Sequence, residues 1–382
     1  MEKSGLSRDR AQAPDFFPDA FRALPPGIRL PKNPEVVRLP GDASNRGFYR
    51  VSGVGAKSLI LMVLADPDPH RQPAEEITAG EKPTGEIPFL NIQGYLEKLG
   101  LPVPRIIHHD LARGVILLED LGDDLLYDLF RASATPAGRE LYRLAVELLV
   151  ELQLRAARRP DPNCLVFHRR FDAELYEWEF QHFREELLPP GLPEAPELAR
   201  GFQKLARDLA EAPGYFCHRD YHSRNLLVQE GKIKMIDFQD ALLALRQYDL
   251  ASLLFDAYVD LPLPLFEEML EYYLATWEKA GGKPEDPERF RRLFFLAGVQ
   301  RGLKAAGRFA YINRVKNNPK FLPFIPGIIR KVRRFFPLFP ELAGLEKILD
   351  RELKINDQIP NPKSRIPNKS QFPMTKKKIK NQ

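Results

Sequence analysis

Between Cys217 and Ala241 the chain reads CHRDYHSRNLLVQEGKIKMIDFQDA. Asp220 and Asn225 stand five apart, Asp237 follows twelve residues later, and His218 and His222 flank the first carboxylate. Residues of these types at this spacing suit transfer of a phosphoryl group to a hydroxyl. That reaction needs a carboxylate to orient or accept the hydroxyl proton, and hard oxygen ligands to hold a divalent cation against the phosphates. The segment NLLVQEGKIKMID reads as a strand, a turn at Glu230 and Gly231, and a second strand. Such a hairpin brings Asn225 and Asp237 to one end. Asp and Asn also favour ordinary turns. Here, however, the neighbours YF, LLV and IKMI are core-like, and polar residues caught between buried strands need partners or a function.

Two kinds of element must position these residues. Before Gly122, segments such as GFYRV (47–51), SLILMVL (58–64) and RIIHHDLARGVILLEDLG (105–122) read as strands around turns. One helix is expected in IPFLNIQGYLEKLGL, with Phe89, Ile92, Leu96 and Leu99 on one face. After Gly122 the period changes to that of helices. Amphipathic stretches run through 138–158, 173–188, 196–212, 263–280 and 287–315. The expected fold is α+β and two-lobed, with a small, mainly antiparallel β lobe and a larger helical lobe. The division is an N-terminal extension (1–28), a nucleotide-binding lobe (29–121), a helical lobe with the catalytic loop and acceptor site (122–350), and a disordered basic tail (351–382). GVGAKS at 53–58 imitates a phosphate-binding loop, but it lacks the full spacing and runs into a strand, so it reads as a hairpin turn.

Composition narrows the partners. Of 382 residues, 44% are hydrophobic and 29% charged, as in ordinary globular proteins. The net charge is +5, but the last 22 residues hold seven Lys or Arg and no acid, which leaves −2 for the rest. The basic character therefore belongs to the tail, and no nucleic-acid partner is expected. No apolar leader and no run of 18 apolar residues is present, so neither a signal peptide nor a membrane span is read. Two cysteines without a CxxC pair fit a cytoplasmic protein.

The segments HRDYHSRNLLV, KMIDFQDA and YDLASLL resemble the aminoglycoside phosphotransferase and choline kinase branch of the protein-kinase-like superfamily. More narrowly, GDASNRGFYRV, PFLNIQGYLEKLGLPVPRII, LLEDLGD and QRGLKAAGRFAYI resemble bacterial anomeric sugar kinases, which phosphorylate N-acetylmuramate and N-acetylglucosamine during cell-wall recycling. The resemblance covers residues 30–340. It implies ATP and Mg²⁺, with Asp220 as catalytic base and Asn225 and Asp237 as metal ligands. It also implies that His218 braces the catalytic loop and that Asp249 anchors the loop backbone. His222 faces the acceptor or caps the loop.

On the nucleotide side, Ser44, Asn45 and Arg46 in GDASNRGFYR are the expected phosphate contacts, and Glu119 and Leu121 in LLEDLGDD are the hinge that meets adenine through backbone N–H and C=O groups. One departure stands out. Protein-kinase-like enzymes place a phosphate-binding lysine on this strand, whereas SLILMVL puts Met62 there. Arg46, Arg50 or Lys57 are the candidates to supply the missing charge. Acceptor contacts are expected from Glu174, Trp178 or Glu179 on one helix and from Arg301, with Lys304, on another. Trp178 can equally be core filler. The expectation is an ATP-dependent kinase of a small hydroxylated metabolite, foremost the anomeric hydroxyl of an N-acetylated amino sugar. The alternatives are an aminoglycoside or other small-molecule kinase, or a catalytically silent nucleotide-binding module.

Overall fold

The computed structural model describes residues 34–39, 46–54, 57–64, 87–132, 136–193 and 195–352. The expected N-terminal extension, most of the tail, and Ser44 and Asn45 lie outside these residues.

Five strands form an antiparallel sheet in the order β1 (Glu35–Arg38), β2 (Gly47–Val54), β3 (Lys57–Val63), β5 (Val115–Glu119) and β4 (Ile106–Asp110). Alternation along the strands gives the sheet two apolar faces. Val51, Leu61, Val115 and Leu117 pack on the outer face. Met62, Ile116 and Leu118, with Phe48 and Ile60, join the main core on the inner face. Helix α1 (Pro88–Lys98) covers that face with Phe89, Ile92 and Leu96. It starts on a proline at its first position, where a missing N–H costs nothing.

The same helix ties the lobes together. Tyr95 donates its hydroxyl to the Arg159 carbonyl at 2.9 Å, and Leu165 N–H donates to Asn91 Oδ1 at 2.8 Å. The Phe89 ring stacks on Phe238 at 5.1 Å. The buried polar residue of α1 is Gln93, a neutral side chain that donates to the Pro104 carbonyl.

The larger lobe contains α2 (Leu126–Ala132), α3 (Pro136–Arg158), α4 (Ala173–Leu187), α5 (Ala195–Ala210), α6 (Gln247–Leu254), α7 (Leu263–Lys279), α8 (Pro287–Lys316), α9 (Ile325–Arg333) and α10 (Ala343–Glu352). Two short antiparallel pairs interrupt them, β6 (Gly214–Cys217) with β9 (Leu242–Leu245) and β7 (Leu226–Gln229) with β8 (Lys232–Met235). The expected hairpin turn falls at Glu230 and Gly231, both with positive φ.

Helix α8, of 30 residues, is the longest described. Asp286 caps its start by accepting from the Arg289 N–H, and Asn317 ends it in the left-handed region. Two of its glycines permit close approach. A Cβ at Gly307 would lie 2.6 Å from Phe183 Cα of α4, and one at Gly302 would lie 2.3 Å from a Val332 methyl of α9. Contacts rise together along both chains, Glu179 with Gln300, Phe183 with Gly307 and Glu186 with Arg314. Helices α4 and α8 therefore run parallel.

Candidate active site

The loop between β6 and β7 is held from below by two buried carboxylates. Asp249, at the start of α6, accepts from the His218 N–H at 2.6 Å, the Arg219 N–H at 3.0 Å and the Cys217 thiol at 3.2 Å. Its burial nonetheless pushes its pKa up, and these donors offset part of that shift. Asp256, just past α6, accepts from the Ser223 N–H and the Tyr258 N–H at 2.9 and 2.8 Å. His218 is buried and bonds the Ile236 carbonyl through Nε2, which links the loop to the end of the hairpin. Arg219 and Asp237 both take left-handed backbone angles, φ 75° and 64°. Side chains with a Cβ disfavour that region by roughly 1–2 kcal/mol, so the surrounding bonds must hold it.

The geometry brings the three spaced residues together. Asn225 donates Nδ2 to the Asp220 carbonyl at 3.0 Å, and the Ile236 N–H donates to the Asn225 carbonyl at 3.1 Å. These bonds place Asn225 between Asp220 and Asp237 and keep Oδ1 as the Asn225 side-chain acceptor. Asp237 exposes 46% of its side chain and accepts from Gln239 Nε2 at 3.0 Å. A neutral amide oxygen and an exposed carboxylate suit a hard divalent cation whose remaining ligands are phosphate oxygens and water. No group of three His, Cys, Asp or Glu among the described residues forms a separate metal cage.

Asp220 exposes 32% of its side chain, and both cations that reach it meet the same oxygen. Arg301 Nη1 lies 2.9 Å from Oδ1, and Lys304 Nζ lies 3.8 Å from it. Burial pushes the Asp220 pKa up, but Lys304 and Arg301 overcome this and hold it well below the usual carboxylate range. Behind them Glu179, 1% exposed, accepts from Gln300 Nε2 at 2.6 Å and Arg219 Nη2 at 3.0 Å. Its pKa is lowered although burial opposes this, because Lys304 and Arg219 adjoin it. Glu179 thus acts on the site through cations.

The other expected contacts scatter. Glu174 is exposed. Trp178 is half-buried, stacks on His182 at 5.3 Å and lines a hollow with Ala199 and Phe202 of α5. No contact among the described residues joins either of them to Asp220. His222 sits 3.5 Å from Asn225 Nδ2 and packs edge-on against Tyr258, and burial lowers its pKa.

On the nucleotide side, Arg46 reaches across the cleft to within 3.7 Å of Asp237 Oδ1. Arg50 is excluded as the substitute for the missing lysine. It grips Asp120 through Nε and Nη2 at 2.7 and 3.1 Å, and Nη1 donates to Asp123 at 2.8 Å. Burial opposes its charge, yet the two carboxylates raise its pKa. Ser58 also donates to Asp120. Arg50 clamps the connector that follows β5. The Glu119 N–H donates to the Arg105 carbonyl at 2.9 Å and extends the sheet. Leu121 is buried, and no described residue accepts from its N–H.

Sequence reasoning missed Asp256, Arg219 and Gln300. Asp256 carried a signal, because a carboxylate inside the apolar run LLFDAYV must find donors. Gln300 is identified only by the contact between α4 and α8, and Arg219 only by the contact of its loop with α4.

The phosphotransferase enzyme family matches residues 35–285. The N-acetylmuramate/N-acetylglucosamine kinase of Pseudomonas aeruginosa is 32% identical over 343 residues, covering 87% of this chain and 91% of that protein. Among solved structures, an amicoumacin kinase in complex with AMP-PNP and Ca²⁺ superposes with a TM-score of 0.54 at 14% identity, over 82% of this chain and 92% of its own. A choline/ethanolamine kinase family protein from Mesorhizobium loti gives 0.52 at 17% identity, over the same shares. At those identities the two structures establish the fold, a two-lobed kinase-like one.

Proposed function

We propose that this chain, which belongs to the phosphotransferase enzyme family, transfers the γ-phosphoryl group of ATP to the anomeric hydroxyl of N-acetylmuramate and N-acetylglucosamine. It is a kinase. One observation carries the reading of its chemistry, the convergence of Asp220, Asn225 and Asp237 on one cleft through the Asn225 bonds. The acceptor is inferred from the name of the Pseudomonas aeruginosa relative, which aligns with nearly the whole chain.

In this reading Asp220 orients the acceptor hydroxyl with its Oδ2, since Arg301 and Lys304 hold Oδ1. Its low pKa makes it a weak base, suited to taking the proton late, as the new O–P bond forms and the bond to the β-phosphate oxygen breaks. The proton then passes to solvent and ADP leaves. Asn225 Oδ1 and the Asp237 carboxylate would hold a divalent cation, for which we propose Mg²⁺. The bound cation neutralises charge between the β- and γ-phosphates. Arg46 adds positive charge over the phosphates. The Leu121 N–H meets the adenine edge. Cys164 and Cys217 are both buried thiols, which suits a reducing compartment, and we place the protein in the cytoplasm.

The test is ADP release from Mg·ATP with N-acetylmuramate, N-acetylglucosamine, choline and an aminoglycoside offered in turn. Turnover with the two N-acetylated sugars alone supports the reading. Turnover confined to choline or the aminoglycoside overturns the acceptor assignment and leaves a kinase of another small molecule.

A further inference from the structure

Around Asp220 the positive groups outnumber the negative ones. Arg219, Arg301 and Lys304 face Glu179 and Asp220 at 2.9–3.8 Å. The next groups outward, Arg169 and Asp240, attract one another and cancel, so one positive charge stays uncompensated. The bonding identifies where it resides. Arg219 and Arg301 each form a hydrogen bond with a carboxylate, at 3.0 and 2.9 Å. Lys304 does not. Its ammonium lies 3.4 Å from Glu179 Oε1 and 3.8 Å from Asp220 Oδ1, and neither contact is a hydrogen bond.

An ammonium carries three donors. One that makes no hydrogen bond to a protein acceptor is available to a ligand that can accept from it. The Lys304 side chain is 18% exposed and stands beside the carboxylate that orients the acceptor. In the reading above Asp220 orients the acceptor, so a group of the acceptor lies within reach of Lys304. For charge balance it should be an anion.

We propose that Lys304 is a specificity-determining residue that binds a carboxylate carried by the acceptor sugar, and so favours N-acetylmuramate, which has one, over N-acetylglucosamine, which has none. The proposal rests on the acceptor reading above and names the part of the site that discriminates between the two sugars. Arg301, already bonded to Asp220, is a positioning residue that fixes which oxygen of Asp220 meets the hydroxyl.

The experiment measures KM and kcat for both sugars, in the wild type and in the Lys304→Met and Lys304→Arg variants. Losing one charge-assisted hydrogen bond should raise KM for N-acetylmuramate about tenfold or more relative to KM for N-acetylglucosamine. Lys304→Arg should restore most of the preference. Because Lys304→Met also removes a neighbour of Glu179 and can impair folding, the wild type is assayed in parallel with the uncharged amide of N-acetylmuramate. That compound should lose the same factor. Equal losses on both sugars in Lys304→Met, or an amide used as well as the acid, would overturn the role of Lys304 and leave the acceptor assignment standing. Absence of turnover with either sugar in the wild type overturns both.

Discussion

On β3, Met62 is wholly buried among Phe48, Ile60 and Ile116, and the helix packed over it offers neutral Gln93. On α8, a single turn sets Gln300, Arg301 and Lys304 against two carboxylates. The two regions belong to different lobes. The sheet lobe lacks the lysine and helix-glutamate pair that protein kinases use, while the helical lobe gathers charge into a network around Glu179 and Asp220. Positive charge for phosphoryl transfer need not sit where the fold usually puts it. It must be near the cleft and held in place, and Arg46, 3.7 Å from Asp237, is the cation we propose for that need.

The largest effect should come from the acceptor side. Asp220→Asn should lower kcat by about 10²–10⁴-fold while ATP still binds, as read by single-turnover kinetics and nucleotide titration. Near-normal turnover in that variant would remove the base from the scheme. Met62→Lys tests the opposite side. An ammonium forced into that apolar site should cost roughly 3 kcal/mol or more, measured as a shift in urea midpoint, without lowering KM for ATP. A tighter ATP KM would mean that the site accepts a lysine in that role, and the contrast between the regions would dissolve.

Arg46→Ala should raise KM for ATP about tenfold, the worth of one charge-assisted bond; an unchanged value strikes Arg46 from the phosphate contacts. The smallest effect belongs to the hinge. Burial acts against Asp120, but bonds from Arg50, Ser58 and the Gly122 N–H depress its pKa. Its contribution is present above the ordinary carboxylate pKa and is lost as pH falls through the depressed folded value. Asp120→Asn should then cost about 1–2 kcal/mol at pH 7 and flatten the acid limb of thermal stability. An acid limb of unchanged steepness would place the titrating groups elsewhere.

Local rules made much of the molecule legible. The spacing of Asp220, Asn225 and Asp237 indicated that they converge, because a hairpin fixes which residues share an end. Apolar period identified α1, α4 and α8 to within a few residues, since amphipathicity is a local pattern. Glu179 was visible only as an alternative on a helix face, because period shows which face is buried but not which helix covers it. Its partner Gln300 lies 121 residues away. The role of Arg50 was misjudged for a related reason, since its carboxylate partners Asp120 and Asp123 lie 70 and 73 residues off. The α10 helix had no sequence expectation attached to it.

Gly302 and Gly307 flank Lys304 on α8, and each stands where one added methyl would push against a neighbouring helix. The distance between Lys304 and Asp220 is therefore set partly by how near α8 can come to α4 and α9. A substitution at either glycine would force a shift at the helix contact without touching any group proposed to meet substrate. In our proposal, sugar preference would then depend on the packing of a helix as well as on the contact residue. Two hydrogen atoms on its backbone act as the set-screws of the site.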